Sequence, residues 1–136
     1  MIAVILLFFY GEENMTIKEA IDKVDGLKPN QYETEDKVEW LSSLDHQIYT
    51  DILLTHEGEV SEFKPYTVDD MDRKLIVDAP YTEVYTAYLK MKIDEENAET
   101  GRYNNSAILF NAYYDNFAKY WNKTHLPINK SNIRFF

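Results

Sequence analysis

A mainly α protein is what this sequence predicts: a small bundle of about four helices, with a long irregular segment between helices 2 and 3 and an extended C-terminal tail. Three observations predict it. Apolar residues recur at steps of three and four in four separate stretches, the period of a helix with one buried face. That period disappears between residues 57 and 79. The four prolines and most of the four glycines fall at the margins of the periodic stretches, where they punctuate a chain. At 136 residues the chain is expected to make one domain with its own core.

The first helix is expected over about 16–25. Thr16-Ile17-Lys18-Glu19 has the form of a capping box, and Ile17, Ala20, Ile21 and Val24 follow at helical spacing before Gly26 and Pro29. The second begins near Thr34, with Glu35 and Asp36 in the turn that favours negative charge. Val38, Leu41, Leu44, Ile48 and Ile52 give it one apolar stripe running to about residue 55. Next come turn signals at Gly58, Pro65 and Asp69-Asp70, then the short β-branched run Leu75-Ile76-Val77, read as a strand or extended segment. A long irregular stretch inside a compact domain is often functional, here a loop reaching a neighbouring chain.

Asp78-Ala79-Pro80 is expected to open the third helix, with proline in its first turn and Val84, Tyr85, Tyr88, Leu89 and Ile93 on its apolar face. Gly101 separates it from a fourth helix over about 102–124. There Ile108, Leu109, Ala112, Tyr113, Phe117, Tyr120 and Trp121 are expected to pack along one side. Tyr113 and Tyr114 diverge by about 100°, so one of them faces an interface or solvent. Pro127 ends the helical pattern, leaving a domain over 15–127 and a tail over 128–136 with the apolar residues Ile133, Phe135 and Phe136.

Composition narrows the function classes. Hydrophobic residues at 45% and charged residues at 28% oppose wholesale disorder, and eleven tyrosines suit both cores and contact surfaces. With no cysteine the chain has no disulfide, thiolate metal site or cysteine nucleophile, which fits a reducing cytoplasm or a virion assembled there. A formal charge of −10 opposes direct binding to a nucleic-acid backbone. Lys119, Lys123, Lys130 and Arg134 are too widely spaced to make a basic patch.

Reactive constellations are sparse. His46, His56 and His125 form no His-x-x-x-His pair of the kind a helical zinc site needs, so they read as surface or cap residues. Asp69-Asp70-Met71-Asp72 lacks the alternating spacing of a calcium loop and reads as a solvated turn capping the next segment. The glycines are unclustered, which excludes a P-loop or dinucleotide fingerprint, and no serine has a nucleophile-elbow context. No cofactor, metal or catalytic residue is expected. The aromatic strip Tyr103, Phe110, Tyr113, Tyr114, Phe117, Tyr120, Trp121 lacks the interleaved cations of a nucleic-acid platform and suits core packing plus a partner surface.

In layout the chain resembles the head–tail connector (adaptor) proteins of tailed bacteriophages and prophages, closest to the small proteins encoded beside capsid and portal genes. The resemblance covers about Met15 to His125. It rests on the capped MTIKEAIDKVDGL, the long EDKVEWLSSLDHQIYTDILL, an irregular segment carrying FKPYT, then LIVDAPYTEVYTAYLKMKIDEENAE and RYNNSAILFNAYYDNFAKYWNKTH. It implies a non-enzymatic virion protein at the head–tail junction, forming a homo-oligomeric ring that meets the portal protein and a neck or tail-completion protein. DNA would pass the acidic channel without specific binding, and no membrane would be involved. Interface residues are then expected in the irregular segment, the fourth helix and the tail: Phe63, Tyr66, Leu75, Ile76, Tyr114, Ile133, Phe135 and Phe136. Two other readings stay open: a small regulatory or inhibitor protein binding through its aromatic face, and a metal-dependent hydrolase using His46, His56 and nearby carboxylates.

The apolar run Ile2–Tyr10 is too short for a membrane helix, which needs about 20 residues. No lysine or arginine precedes Lys18, as a secretory signal would require. Gly11-Glu12-Glu13-Asn14-Met15 back-translates to a purine-rich tract just ahead of a start codon, the form of a ribosome-binding site. The expectation is that Met15 is the native start and that 1–14 is an over-extended reading of the gene.

Overall fold

The computed structural model of the chain describes residues 14–128. The run Ile2–Tyr10 and the tail residues Ile133, Phe135 and Phe136 lie outside the described residues. The fold is mainly helical: among the described residues there are four helices and one two-stranded antiparallel sheet. In chain order the elements are β1 (Asn14–Thr16), α1 (Ile17–Leu27), α2 (Thr34–Asp51), β2 (Lys74–Asp78), α3 (Glu83–Glu96) and α4 (Thr100–Thr124).

The start of α1 is closed from two directions. The Glu19 amide donates to Thr16 Oγ1 (3.1 Å) and the Thr16 amide donates to Glu19 Oε1 (2.8 Å), completing the capping box. The next free amides, of Ile17 and Lys18, donate to the carbonyls of Arg73 and Met71 at 3.0 and 2.9 Å. A helix leaves its first four amides without internal partners, so the turn before β2 acts as a cap supplied from far along the chain. β1 pairs with β2, Asn14 opposite Asp78 and Thr16 opposite Lys74, with an irregularity between them. The Asn14 side chain also donates to Leu75 O and Asp78 Oδ1. The folded unit therefore includes Asn14, one residue ahead of the expected boundary.

In α2 the expected stripe holds: Val38, Leu41, Leu44, Ile48 and Ile52 are all buried. The α-helix stops at Asp51 and tightens into a 3₁₀ turn over Leu53–Thr55, earlier than the apolar period implied. Residues 57–73 then run back along α2. Within them Thr67 and Asp70 cap a 3₁₀ turn over Val68–Asp70, and Asp70 lies 3.8 Å from Arg73.

Two punctuation readings are corrected. Pro80 is not in the first turn of α3; it follows a cis peptide bond from Ala79, and the Tyr81 amide closes a turn onto Asp78 O before the helix begins at Glu83. Gly101 does not separate α3 from α4; it lies inside α4. The reversal is made at Ala98, whose φ of 57° is left-handed. The Ala98 and Glu99 amides donate to Glu95 O and Asp94 O, both at 3.0 Å, the two bonds of a Schellman helix ending.

α3 is the central helix, touching α1, α2 and α4. It is consequently buried on more than one side, at Val84, Tyr85, Thr86, Ala87, Leu89 and Ile93. The core is shared by Ile17, Ile21 and Val24 of α1, the α2 stripe, Leu75 and Val77 of β2, and this helix. α4 packs mainly on α3 and contributes only one fully buried side chain, Phe117. The expected α4 stripe is thus split. Ile108 lies nine residues from Phe117, and at about 100° per residue the two point in opposite directions. Ile108 and Leu109 are 67% and 54% exposed, and Ala112 is exposed with them. Among the described residues no helix is long and apolar enough to cross a membrane.

Candidate interaction surface and its internal supports

A carboxylate sits in the middle of the α2 stripe. Asp45 is four residues after Leu41 and three before Ile48, so it faces the core, and it is 0% exposed. Its Oδ2 accepts from the Tyr66 hydroxyl (2.5 Å) and the Ile76 amide (3.1 Å), and its Oδ1 accepts from the Tyr85 hydroxyl (2.7 Å). The Val77 amide donates to the Tyr85 hydroxyl at 2.7 Å. One side chain thus joins α2, α3, β2 and the segment before it. β2 has a single neighbouring strand, so side chains satisfy two of its amides. Burial pushes the Asp45 carboxyl up to about 6, against the opposing pull of bonds from Tyr66, Tyr85 and Ile76. Burial, together with the negative charge of Asp45, raises both tyrosines far above their ordinary value, so they remain hydroxyl donors.

A second tie holds the corner of α1, α3 and α4. Asp94 is 1% exposed; its Oδ1 lies 2.7 Å from Lys28 Nζ, and its Oδ2 accepts from Ser106 Oγ at 2.6 Å. Burial opposes its charge, but the hydrogen bonds from Lys28 and Ser106 and the Lys28 charge outweigh it and hold the carboxyl below its usual value. A third tie joins α1 to α2, where buried Lys37 lies 2.6 Å from Asp25. The ends of α2 and α4 are clasped by backbone bonds, Glu57 N–H to Leu126 O (2.7 Å) and Ile128 N–H to Thr55 O (2.8 Å).

Among the described residues, the expected interface residues do not gather on one exposed surface. Leu75 (1% exposed) and Tyr66 (7%) belong to the core, where they are unavailable to a second chain without opening the fold. Phe63 is half-buried against α2, stacked on His46 at 5.0 Å and beside Tyr66 at 5.4 Å. Ile76 is half-buried next to the Asp45 tie. Tyr114 is half-buried beside Phe110, and Tyr113 is half-buried too, so the two flank the packed side of α4 and neither is fully exposed. Ile133, Phe135 and Phe136 lie outside the described residues.

The histidines are dispersed. His46 stacks on Phe63, His56 lies 2.5 Å from Asn122 Oδ1 and 2.6 Å from Ile52 O, and His125 stacks on Trp121 at 3.7 Å. Among the described residues no three His, Asp or Glu side chains come together as a metal-holding set.

Sequence reasoning passed over the outward side of α4. From Tyr103 to Tyr114 the chain carries no charged residue, although 28% of the whole is charged. Ile108, Leu109 and Ala112 stand at the centre of this stretch, with the exposed amides Asn104, Asn105 and Asn111 around them. The available signal was the charge-free run itself. The chain matches no protein-family model, no curated protein and no solved structure.

Proposed function

We propose that the protein is a structural component of a tailed-phage virion, a head–tail connector that assembles as a ring beneath the portal and seats the next neck or tail component. The observation that carries this reading is how the side chains are divided between inside and outside. Asp45, Tyr66, Tyr85, Lys37 and Asp94 are committed to joining the chain's own elements. Large apolar groups of α4 are instead held outward on a well-tied scaffold. That division suits a part that works by contact, where rigidity lowers the ordering cost of assembly. The resemblance in layout to connectors supports the same reading, and a charge of −10 suits a channel that DNA slides through without sticking.

The test is co-expression with tailed-phage portal proteins, followed by electron microscopy and mass measurement of the purified complex. The expected result is a ring on the portal. A chain that stays a monomer or dimer and never binds a portal overturns the proposal and favours a small regulatory protein.

A further inference from the structure

We propose that the charge-free outer face of α4, centred on Ile108, Leu109 and Ala112, is a contact surface between copies of this chain. The inference deepens the connector reading and rests on it for the ring, but the choice of face comes from the geometry of α4.

Three observations select this face. First, α4 has 25 residues yet fully buries only Phe117; Ile108 projects away from that packed side and Leu109 lies at its flank, each with more than half its surface exposed. Second, the surroundings are graded as in a protein contact. The apolar centre is flanked by neutral Asn104, Asn105 and Asn111, and charge returns at the two ends of the run, at Arg102 and Asp115. Contact surfaces characteristically lose charge at the centre and regain it at the rim.

The third observation identifies the occupant. Two copies of a chain carrying −10 repel one another through their net charge. A cationic partner would be drawn to exposed carboxylates, not to a neutral stretch. A neutral apolar face is where a like-charged copy approaches with least repulsion. Such a contact strengthens with added salt, which screens the surrounding like charges over about 10 Å at 0.1 M, whereas a contact built on ion pairs weakens.

The absence of cysteine supplies a direct probe. In a Leu109→Cys chain the single thiol reports whether this face is covered. Its maleimide labelling rate should fall as protein concentration rises, and fall further in 0.5 M salt. A rate independent of concentration overturns the proposal: fast labelling means an open face, and slow labelling at every dilution means cover by the chain's own segments. In sedimentation equilibrium, Ile108→Glu with Leu109→Glu should weaken self-association by about 100-fold or more, the scale of losing a contact's central residues. Thermal melting of a dilute, unassociated sample should be unchanged, because both positions are exposed in the single chain. Self-association that persists in the double variant with a normal melt also overturns the proposal. Portal binding separates this inference from the functional reading. Association through α4 without any portal binding leaves the face standing and sinks the connector. Portal-bound rings formed by the double variant do the reverse.

Discussion

The Asp45 carboxylate and the Tyr85 hydroxyl lie 2.7 Å apart at full burial, and through them α2 and α3 hold the backbone of β2. Replacing Asp45 with alanine leaves the Ile76 amide and two buried hydroxyls short of a partner. The expected cost is about 3 kcal/mol or more, since each unsatisfied buried group costs roughly 1–3 kcal/mol. Urea denaturation at pH 7 measures it.

The same carboxylate gives a pH dependence of definite sign. Its folded value of about 6 lies above the ordinary 3.8, so the folded state holds this proton more tightly than the unfolded state does. The proton-linked part of its contribution is therefore fully present below about pH 4 and is lost as pH rises through 6, over a range of roughly 2–3 kcal/mol, while its hydrogen bonds remain. Many other carboxylates titrate in that window, so the useful quantity is the difference between wild type and Asp45→Asn. Relative to the variant, wild-type stability should fall between pH 4 and 6. A flat difference would show that Asp45 is charged throughout.

Asp94 should behave oppositely. Its carboxyl is held below the usual value, so its contribution is present above the unfolded pKa and fades as pH falls through the folded one. Lys28→Ala leaves a buried carboxylate with Ser106 as its remaining side-chain donor, and a loss of about 3 kcal/mol at pH 7 is expected. Near pH 3 the loss should shrink. Denaturation midpoints for wild type and variant at the two pH values decide it.

At the α3–α4 corner a glycine is missing where the backbone favours one and present where a helix does not. Ala98 takes the left-handed conformation that costs a side-chain-bearing residue about 1–2 kcal/mol. Part of that is recovered by the extra freedom glycine has when unfolded, so Ala98→Gly should stabilise by about 0.5–1 kcal/mol. Gly101 is helical with open space around the position of an added Cβ, so Gly101→Ala should add about 0.5 kcal/mol. The residues are close in sequence, so the double variant also checks whether the two gains add. A lower melting temperature for Ala98→Gly would contradict the cap geometry.

The helices were legible because each repeats its own burial locally. Val38, Leu41, Leu44, Ile48 and Ile52 announce one face of α2 at a fixed period, and the Thr16–Glu19 box announces its own cap. The Asp45 tie was not legible, because its tyrosines come from 21 and 40 residues away and no local period encodes such a meeting. A lone carboxylate inside an apolar stripe was the available hint. The second strand was visible as a β-branched run, but Asn14–Thr16 is too short to signal a partner. In α4 the length was readable and the buried face was not. Apolar and aromatic residues occur all round that helix, so sequence alone leaves open which side meets α3.

That ambiguity yields the last prediction. If α4 is oriented with Phe117 inward, truncation at its two sides must differ sharply. Phe117 is 1% exposed and packs against Tyr81, Tyr120 and Trp121. Phe117→Ala should cost about 3–5 kcal/mol, through lost burial and the cavity left behind. Ile108→Ala, on the opposite side, removes a comparably apolar group from solvent and should change stability by less than about 0.5 kcal/mol in a dilute sample. The contrast belongs to the isolated chain. Where copies meet through α4, Ile108→Ala should become costly as concentration rises, because a partner that binds only the folded state stabilises it by mass action. Melting both variants over a hundredfold range of concentration therefore reads the orientation of α4 at the dilute end and the occupancy of its outer face at the concentrated end.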